Sequence, residues 1–346
     1  NVAVSKLPDG RYRYNAINAE APDHDPWTQF PLERTFTEWQ LSAFADGGVD
    51  LGGRFGGSRG NVVSSCQDCH MPTTASQACS YGPVRQDMAT HDFAGAAVPS
   101  LDLIAAYTAN DPAVDPAHIA AGRAKALSML QRAATIELSL AAGTVLARVL
   151  NQTGHKLPTG HIEGRRAWLN LRFFDASGAL VLERGHYDTA EAHLDEAGTT
   201  VYEMLVALSD DAAAATGKPA GVTTHMALAD TIWKDTRIPP RGFDNAAFAD
   251  GGAPAVGIGY ADGQYWHDTS VTLPAGAVRV DATLYYQSLT RHYIEALRDG
   301  NATDHWGQTL HNLWQATGRG APIAMASERL TWGDMIFSDG LEGTAP

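Results

Sequence analysis

The stretch VVSSCQDCHMPTTASQAC, residues 62–79, carries all three cysteines of a 346-residue chain. Cys66 and Cys69 stand two residues apart, and His70 follows at once. C-x-x-C-H is the attachment pattern of a c-type haem. Two thiols at this spacing reach the two vinyl groups on one edge of a porphyrin and form thioethers. The adjacent imidazole then turns beneath the iron as proximal ligand. Two other readings compete. A thioredoxin-like CxxC opens a helix after a buried strand, but residues 61–65 are too short for that strand and Met71-Pro72 stops a helix at once. A structural zinc site takes four ligands, often from two CxxC-type pairs. This chain has one pair, so zinc would need scattered histidines. The pattern points to one covalent haem c site, with Cys66 and Cys69 as thioether positions and His70 on the iron.

An opposite axial ligand must come from elsewhere, or the iron keeps an open site. Met71 is too close to the attachment segment. Met88 and His91 lie in VRQDMATHDF, residues 84–93, in a loop able to fold over the ring. Methionine would raise the potential, whereas histidine gives a low-spin bis-His haem, and His91 is the preferred choice. His155 is its rival, in NQTGHKLPTG, residues 151–160, where Gly154, Pro158 and Gly160 fix a turn with the histidine at its tip. Either residue also reads as an ordinary loop histidine. Cys79 lacks a following histidine. It is left as a buried apolar residue or as a bridge to chain outside this sequence.

The rest of the composition narrows the classes. Apolar residues make up 44% and charged residues 18%, as in folded globular chains. A formal charge of -14 disfavours nucleic acid and anionic membranes as partners; it would attract a basic redox partner, but reads first as a route to solubility. No run reaches the roughly 18 apolar residues of a membrane helix. The chain starts at Asn1 with no basic-then-apolar leader, which reads as a removed signal peptide or as further chain upstream.

Residues 1–111 are rich in Gly, Pro, Asp and Ser, with helical character expected only over residues 32–45. Asp115-Pro116 reads as an N-cap followed by proline at the first helical position. Beyond it the period becomes two. TIELSLAAGTVLARVLN predicts a hairpin about Ala142-Gly143, and AWLNLRFFDASGALVLE another about residues 175–178. VYEMLVAL, SVTLPAG, VRVDATLYY and ERLTW read as further strands, with two late helices over 290–298 and 304–316. The fold class is α+β: a loop- and helix-rich haem-binding region over 1–134, then an antiparallel β-sandwich-like domain over 135–346 with two inserted helices. His186, Asp188, Glu191 and His193 cluster in sequence but read as a solvated loop. His292, His305 and His311 read as surface or half-buried positions. HExxH and P-loop motifs are absent from the sequence.

CQDCHMP, RQDMATHDFAG and GHKLPTG, followed by RRAWLNLRFFDASG, together resemble the multihaem c-type cytochromes that carry a β-rich C-terminal domain. FPLERTFTEWQLSAFA and KDTRIPPRGF belong to the same resemblance, which spans about residues 28–345. It implies an exported electron carrier, periplasmic or at the cell surface, with other haem proteins as redox partners. It also implies His91 and His155 as axial ligands, one of them serving a haem attached elsewhere. Such proteins have more CxxCH motifs upstream, and this chain has one. It therefore reads as a C-terminal portion, a docking subunit or a monohaem descendant. An oxidoreductase subunit with an open iron site, or a β-domain docking protein whose haem only cross-links the fold, are the alternative functions.

Overall fold

Ala142 (φ 48°) and Gly143 (φ 73°) both take left-handed backbone, the turn whose twist matches paired antiparallel strands. The structure, a computed structural model, describes residues 2–17, 25, 28–31, 33–55 and 60–332. Its N-terminal part is irregular. A hairpin of β1 (Val2–Lys6) and β2 (Tyr12–Ile17) comes first, then α1 (Thr35–Gln40). The two-residue pair β3 (Val49–Asp50) and β4 (Val62–Val63) leads into α2 (Cys66–His70). A hairpin of β5 (Thr73–Gln77) and β6 (Val84–Ala89) follows, then α3 (Val98–Tyr107) and α4 (Pro116–Arg132). As expected, the Asp115 carboxylate accepts from Ala117 N and caps α4, with Pro116 in its first turn.

The helix expected over 32–45 is shorter, and Leu32 lies outside the described residues. Ser42 ends it. Its hydroxyl donates to Trp39 O at 2.7 Å and accepts from Phe44 N, while Ala43 N turns outward to Arg241 O. Such local side-chain bonds compete with the helical ladder.

From β7 (Ala134–Ala141) and β8 (Thr144–Asn151) onward the chain is mostly antiparallel sheet. The remaining strands are β9 (Arg166–Asp175), β10 (Leu180–Arg184), β11 (Tyr187–Asp188), β12 (His193–Leu194) and β13 (Val201–Leu208), then β14 (Gly221–Val222) and β15 (Thr231–Asp235). β16 (Trp266–Thr272), β17 (Ala277–Gln287) and β18 (Ile323–Thr331) complete them. Helices α5 (Asp210–Thr216), α6 (Asn245–Asp250), α7 (Arg291–Gly300) and α8 (Trp306–Ala316) sit between strands. One sheet runs β14-β13-β9-β17-β18, with β10 also on β9 and β15 also on β13; a second runs β16-β8-β7. The class is α+β, as the patterning implies.

The two sheets share one core. Val145, Ala147 and Val149 of β8 are fully buried with Leu169, Leu171 and Phe173 of β9 and Val280, Ala282 and Leu284 of β17. Each large side chain of this kind contributes roughly 1.5–3 kcal/mol by leaving water. Strand β9 is buried on both faces, because Trp168 points away from that core into a cluster with Leu194 and Val201. That double burial explains why AWLNL does not alternate. Leu130 and Ala133, at the end of α4, join the sheet core, while neighbouring Met129 joins Phe44, Phe55 and Val63. The end of α4 thus stands between the sheets and the CxxCH segment.

Candidate cofactor site

Helix α2 has five residues, too few to persist unaided. A capping box holds it. The buried Asp68 carboxylate accepts from Ser65 N at 2.9 Å and Ser64 N at 3.0 Å, and Ser65 Oγ accepts from Asp68 N. The helix ends at Met71, ahead of Pro72. It leaves Cys66 exposed and Cys69 half-buried against the Phe44, Phe55, Val63 and Met129 cluster. All three cysteines are free thiols. Burial, with the Asp68 charge adding to it, pushes the Cys69 thiol up to about 12. A dithiol of the thioredoxin kind needs the opposite shift.

His70 is oriented by the backbone. Its Nδ1 lies 2.7 Å from Ala94 O, and a carbonyl only accepts, so Nδ1 carries the proton. Nε2 keeps its lone pair, which is how a metal-binding histidine is set up.

Cys66, Cys69 and His70 line a cavity of about 480 Å³. Its wall is mostly apolar, with Phe44, Phe55, Val63, Met129, Leu130 and Leu157 among its residues. This volume and character suit an organic ligand. His155 lines the same cavity. Its Nδ1 lies 2.9 Å from Lys156 O, so here too the proton sits on Nδ1. Burial lowers the His155 pKa and keeps the ring in its neutral, metal-ligating form. Lining residues come from both sides of residue 134, and the site is shared between the two parts of the chain.

The His155 loop is held from below. Asn151, fully buried at the end of β8, donates to His155 O at 2.7 Å and to Ile238 O at 3.0 Å, and accepts from Thr153 N. Gly154 packs so closely on α1 and the turn after it that an added Cβ would stand 3.1 Å from Phe44 Cγ. Glu38 of α1 accepts from Lys156 N at 3.0 Å and from Thr159 Oγ1 at 2.8 Å, clamping both ends of the tip. Arg237 lies 3.0 Å from Glu38 and grips Asp235 through Nε and Nη2 at 2.8 and 2.7 Å. Lys156 Nζ completes the set at 2.8 Å from Asp235. All four side chains are buried, two of each sign. Burial pushes Lys156 down and also works against ionised Asp235, but Arg237 and Lys156 hold the Asp235 carboxyl below its ordinary value. Such a set is tolerable out of water only when it is complete.

His91 is exposed, its ring 5.9 Å from that of Phe93, and is not among the residues lining the cavity; nor is Met88. Cys79 sits exposed between β5 and β6, which corrects the option of a buried apolar position. His311 is also deeper than expected, buried with Nε2 2.9 Å from Arg298 Nη1. In the 186–193 run, His186 meets Glu183, Asp188 accepts from Ala190 N and Glu191 N, and Glu191 pairs with Arg291 of α7. Among the described residues no three His, Cys, Asp or Glu side chains are grouped to hold a bare metal ion. Sequence reasoning missed Glu38, Lys156, Asp235 and Arg237. Their one signal is charge inside short segments bounded by proline or aromatic residues.

No family model matches the chain, and no curated protein matches it. Among solved structures, it is similar to a penta-heme cytochrome c552 from Thermochromatium tepidum. The TM-score is 0.44 at 19% identity, covering 89% of this chain and 53% of that one. The chain thus spans about half the length of that protein.

Proposed function

We propose that this chain is a c-type cytochrome that carries single electrons on one covalent haem. The observation behind it is that Cys66, Cys69, His70 and His155 line a single apolar cavity of about 480 Å³, with both histidines protonated on Nδ1. The residues fit the group. Cys66 and Cys69 would form the thioethers, and His70 and His155, the latter in place of His91, would hold the iron. Bound there, the haem supplies one-electron chemistry. The chain fixes the two imidazoles through Ala94 O and Lys156 O, and excludes water with Phe44, Phe55 and Leu157. His91, out on the surface, is left for a haem attached elsewhere in a larger assembly.

Residues 1–134 supply the attachment segment, and 135–346 supply the distal loop and a rigid sheet scaffold. Thioether attachment takes place outside the cytoplasm, so the protein works in the periplasm or at the cell surface, with other haem proteins as partners. Among the described residues no helix is long and apolar enough to cross a membrane.

Intact-mass measurement and visible spectra test this together. One added haem mass and a low-spin reduced spectrum unmoved by carbon monoxide are expected. A colourless chain at its amino-acid mass rules the proposal out. Ready carbon monoxide binding would move the function to an oxidoreductase with an open iron site.

A further inference from the structure

Arg165 presents a charge problem that the fold leaves unsolved. It lines the same cavity as Cys66, Cys69, His70 and His155, and among the described residues no other Arg or Lys does. Among the described residues it makes no ion pair of the kind that holds Arg237 or Arg148. One Nη donates to the carbonyl of Thr159, and the buried Nε meets no acceptor. Beside it is Tyr286, 2% exposed, whose hydroxyl faces Arg165 and finds no acceptor for its own proton. Arg165 lies close enough to favour ionisation of that phenol, although burial outweighs this and raises the tyrosine. A guanidinium Nε–H and a phenol O–H without an acceptor, side by side in the wall of an apolar cavity, point to a missing acceptor.

Gly160 gives the guanidinium its room. At φ +82° it adopts a conformation suited to glycine, and a Cβ there would come within 2.5 Å of Arg165 Nη1. Glu33 also lines the cavity but is an exposed residue accepting from Thr35 Oγ1, so water solvates its charge. The remaining polar wall is accounted for: Thr153 bonds within its own loop, and Thr159 donates to Glu38.

We propose that Arg165, with Tyr286 beside it, is a carboxylate-binding subsite of this cavity, and that it takes a propionate of the tetrapyrrole. This rests on the haem reading above and adds its orientation: thioether edge at Cys66 and Cys69, acid edge at Arg165. A planar fork pairing with a carboxylate is the geometry arginine is suited to. The pairing compensates a cation that otherwise sits half-buried and alone.

The test is resonance Raman spectroscopy of the haem-loaded chain, following the propionate bending band. Arg165→Gln moves the band to lower frequency, and Tyr286→Phe, nearly isosteric, gives a smaller shift in the same direction. An unchanged band in either red, folded variant overturns the proposal. Because Tyr286→Phe removes only a hydroxyl, the result stands even where Arg165→Gln fails to fold. Adding acetate to the wild type tests for a free carboxylate as occupant. An unchanged spectrum is expected, and a saturable shift overturns the assignment to the haem's own acid group. A colourless wild type would remove the haem reading itself, an outcome distinct from an unmoved band in a coloured one.

Discussion

His155 and His91 differ in what surrounds them more than in sequence context. His155 is desolvated, carries its proton on the nitrogen facing Lys156 O, and lines the cavity with His70. His91 is exposed and meets only Phe93 among the aromatic contacts. Replacing His155 by Ala should therefore give a high-spin haem that binds carbon monoxide, while His91→Ala keeps the low-spin spectrum. The reverse pattern would return the distal position to His91. The charges under the loop make a second residue-scale case. Asp235→Asn keeps the side-chain shape but takes away the ion-pair partner of Lys156 and leaves Arg237 with Glu38. Breaking a buried pair in this way costs about 3–5 kcal/mol. Chemical denaturation should show a loss of that size, and a change under about 1 kcal/mol would mean that the set is not closed in solution.

At the scale of elements, α2 is the piece whose stability is most local. Its five residues depend on Asp68, which serves Ser64 N and Ser65 N and, through the box, fixes both cysteines. Asp68→Ala should cost roughly 1–2 kcal/mol and lower the fraction of chains that acquire haem, read as the ratio of haem absorbance to protein. An unchanged ratio would show that the segment finds its shape without the box. The CxxCH motif and the proline after it were legible in sequence because their chemistry is local, whereas helix was expected within residues 1–111 only over 32–45, and the five-residue α2 with its Ser65–Asp68 box was missed. Hairpin β7-β8 and the start of α4 were legible for the same reason. The β5-β6 hairpin was not, since its two strands are largely exposed and show no apolar face to read. Nor was α3, whose apolar residues Val98, Pro99, Leu101, Leu103 and Ile104 run nearly all round. His155 was legible as a turn histidine, but its tie to α1 was not. That tie joins residues more than a hundred positions apart through Glu38, and no local pattern encodes it.

For the whole molecule, opposed groups of carboxyls set the response to pH. Asp268, held by both ends of the Arg148 fork, sits below its ordinary value, and so does Asp235. Stability from these groups is present above their unfolded values and is lost as pH falls below about 4. Glu163 works the other way. It is half-buried with no compensating charge, and burial raises it from 4.5 to about 7. The folded chain therefore holds a proton that the unfolded chain has released. The stability this gives is full below 4.5 and is lost as pH rises through 7. The charge of -14 adds self-repulsion in the same direction as the remaining carboxyls ionise. His155, His161 and His267, which burial holds below their ordinary value, pull the other way over the same range, so the Glu163 share is read as a difference. In thermal melting between pH 5 and 8 the midpoint of the wild type should fall relative to that of Glu163→Gln as pH rises, because the amide is neutral in both states. Glu163 borders a second cavity also lined by Arg165, Arg166, His193 and Glu295, and the substitution leaves those residues in place. A slope equal to that of the wild type would mean that Glu163 is solvated in solution.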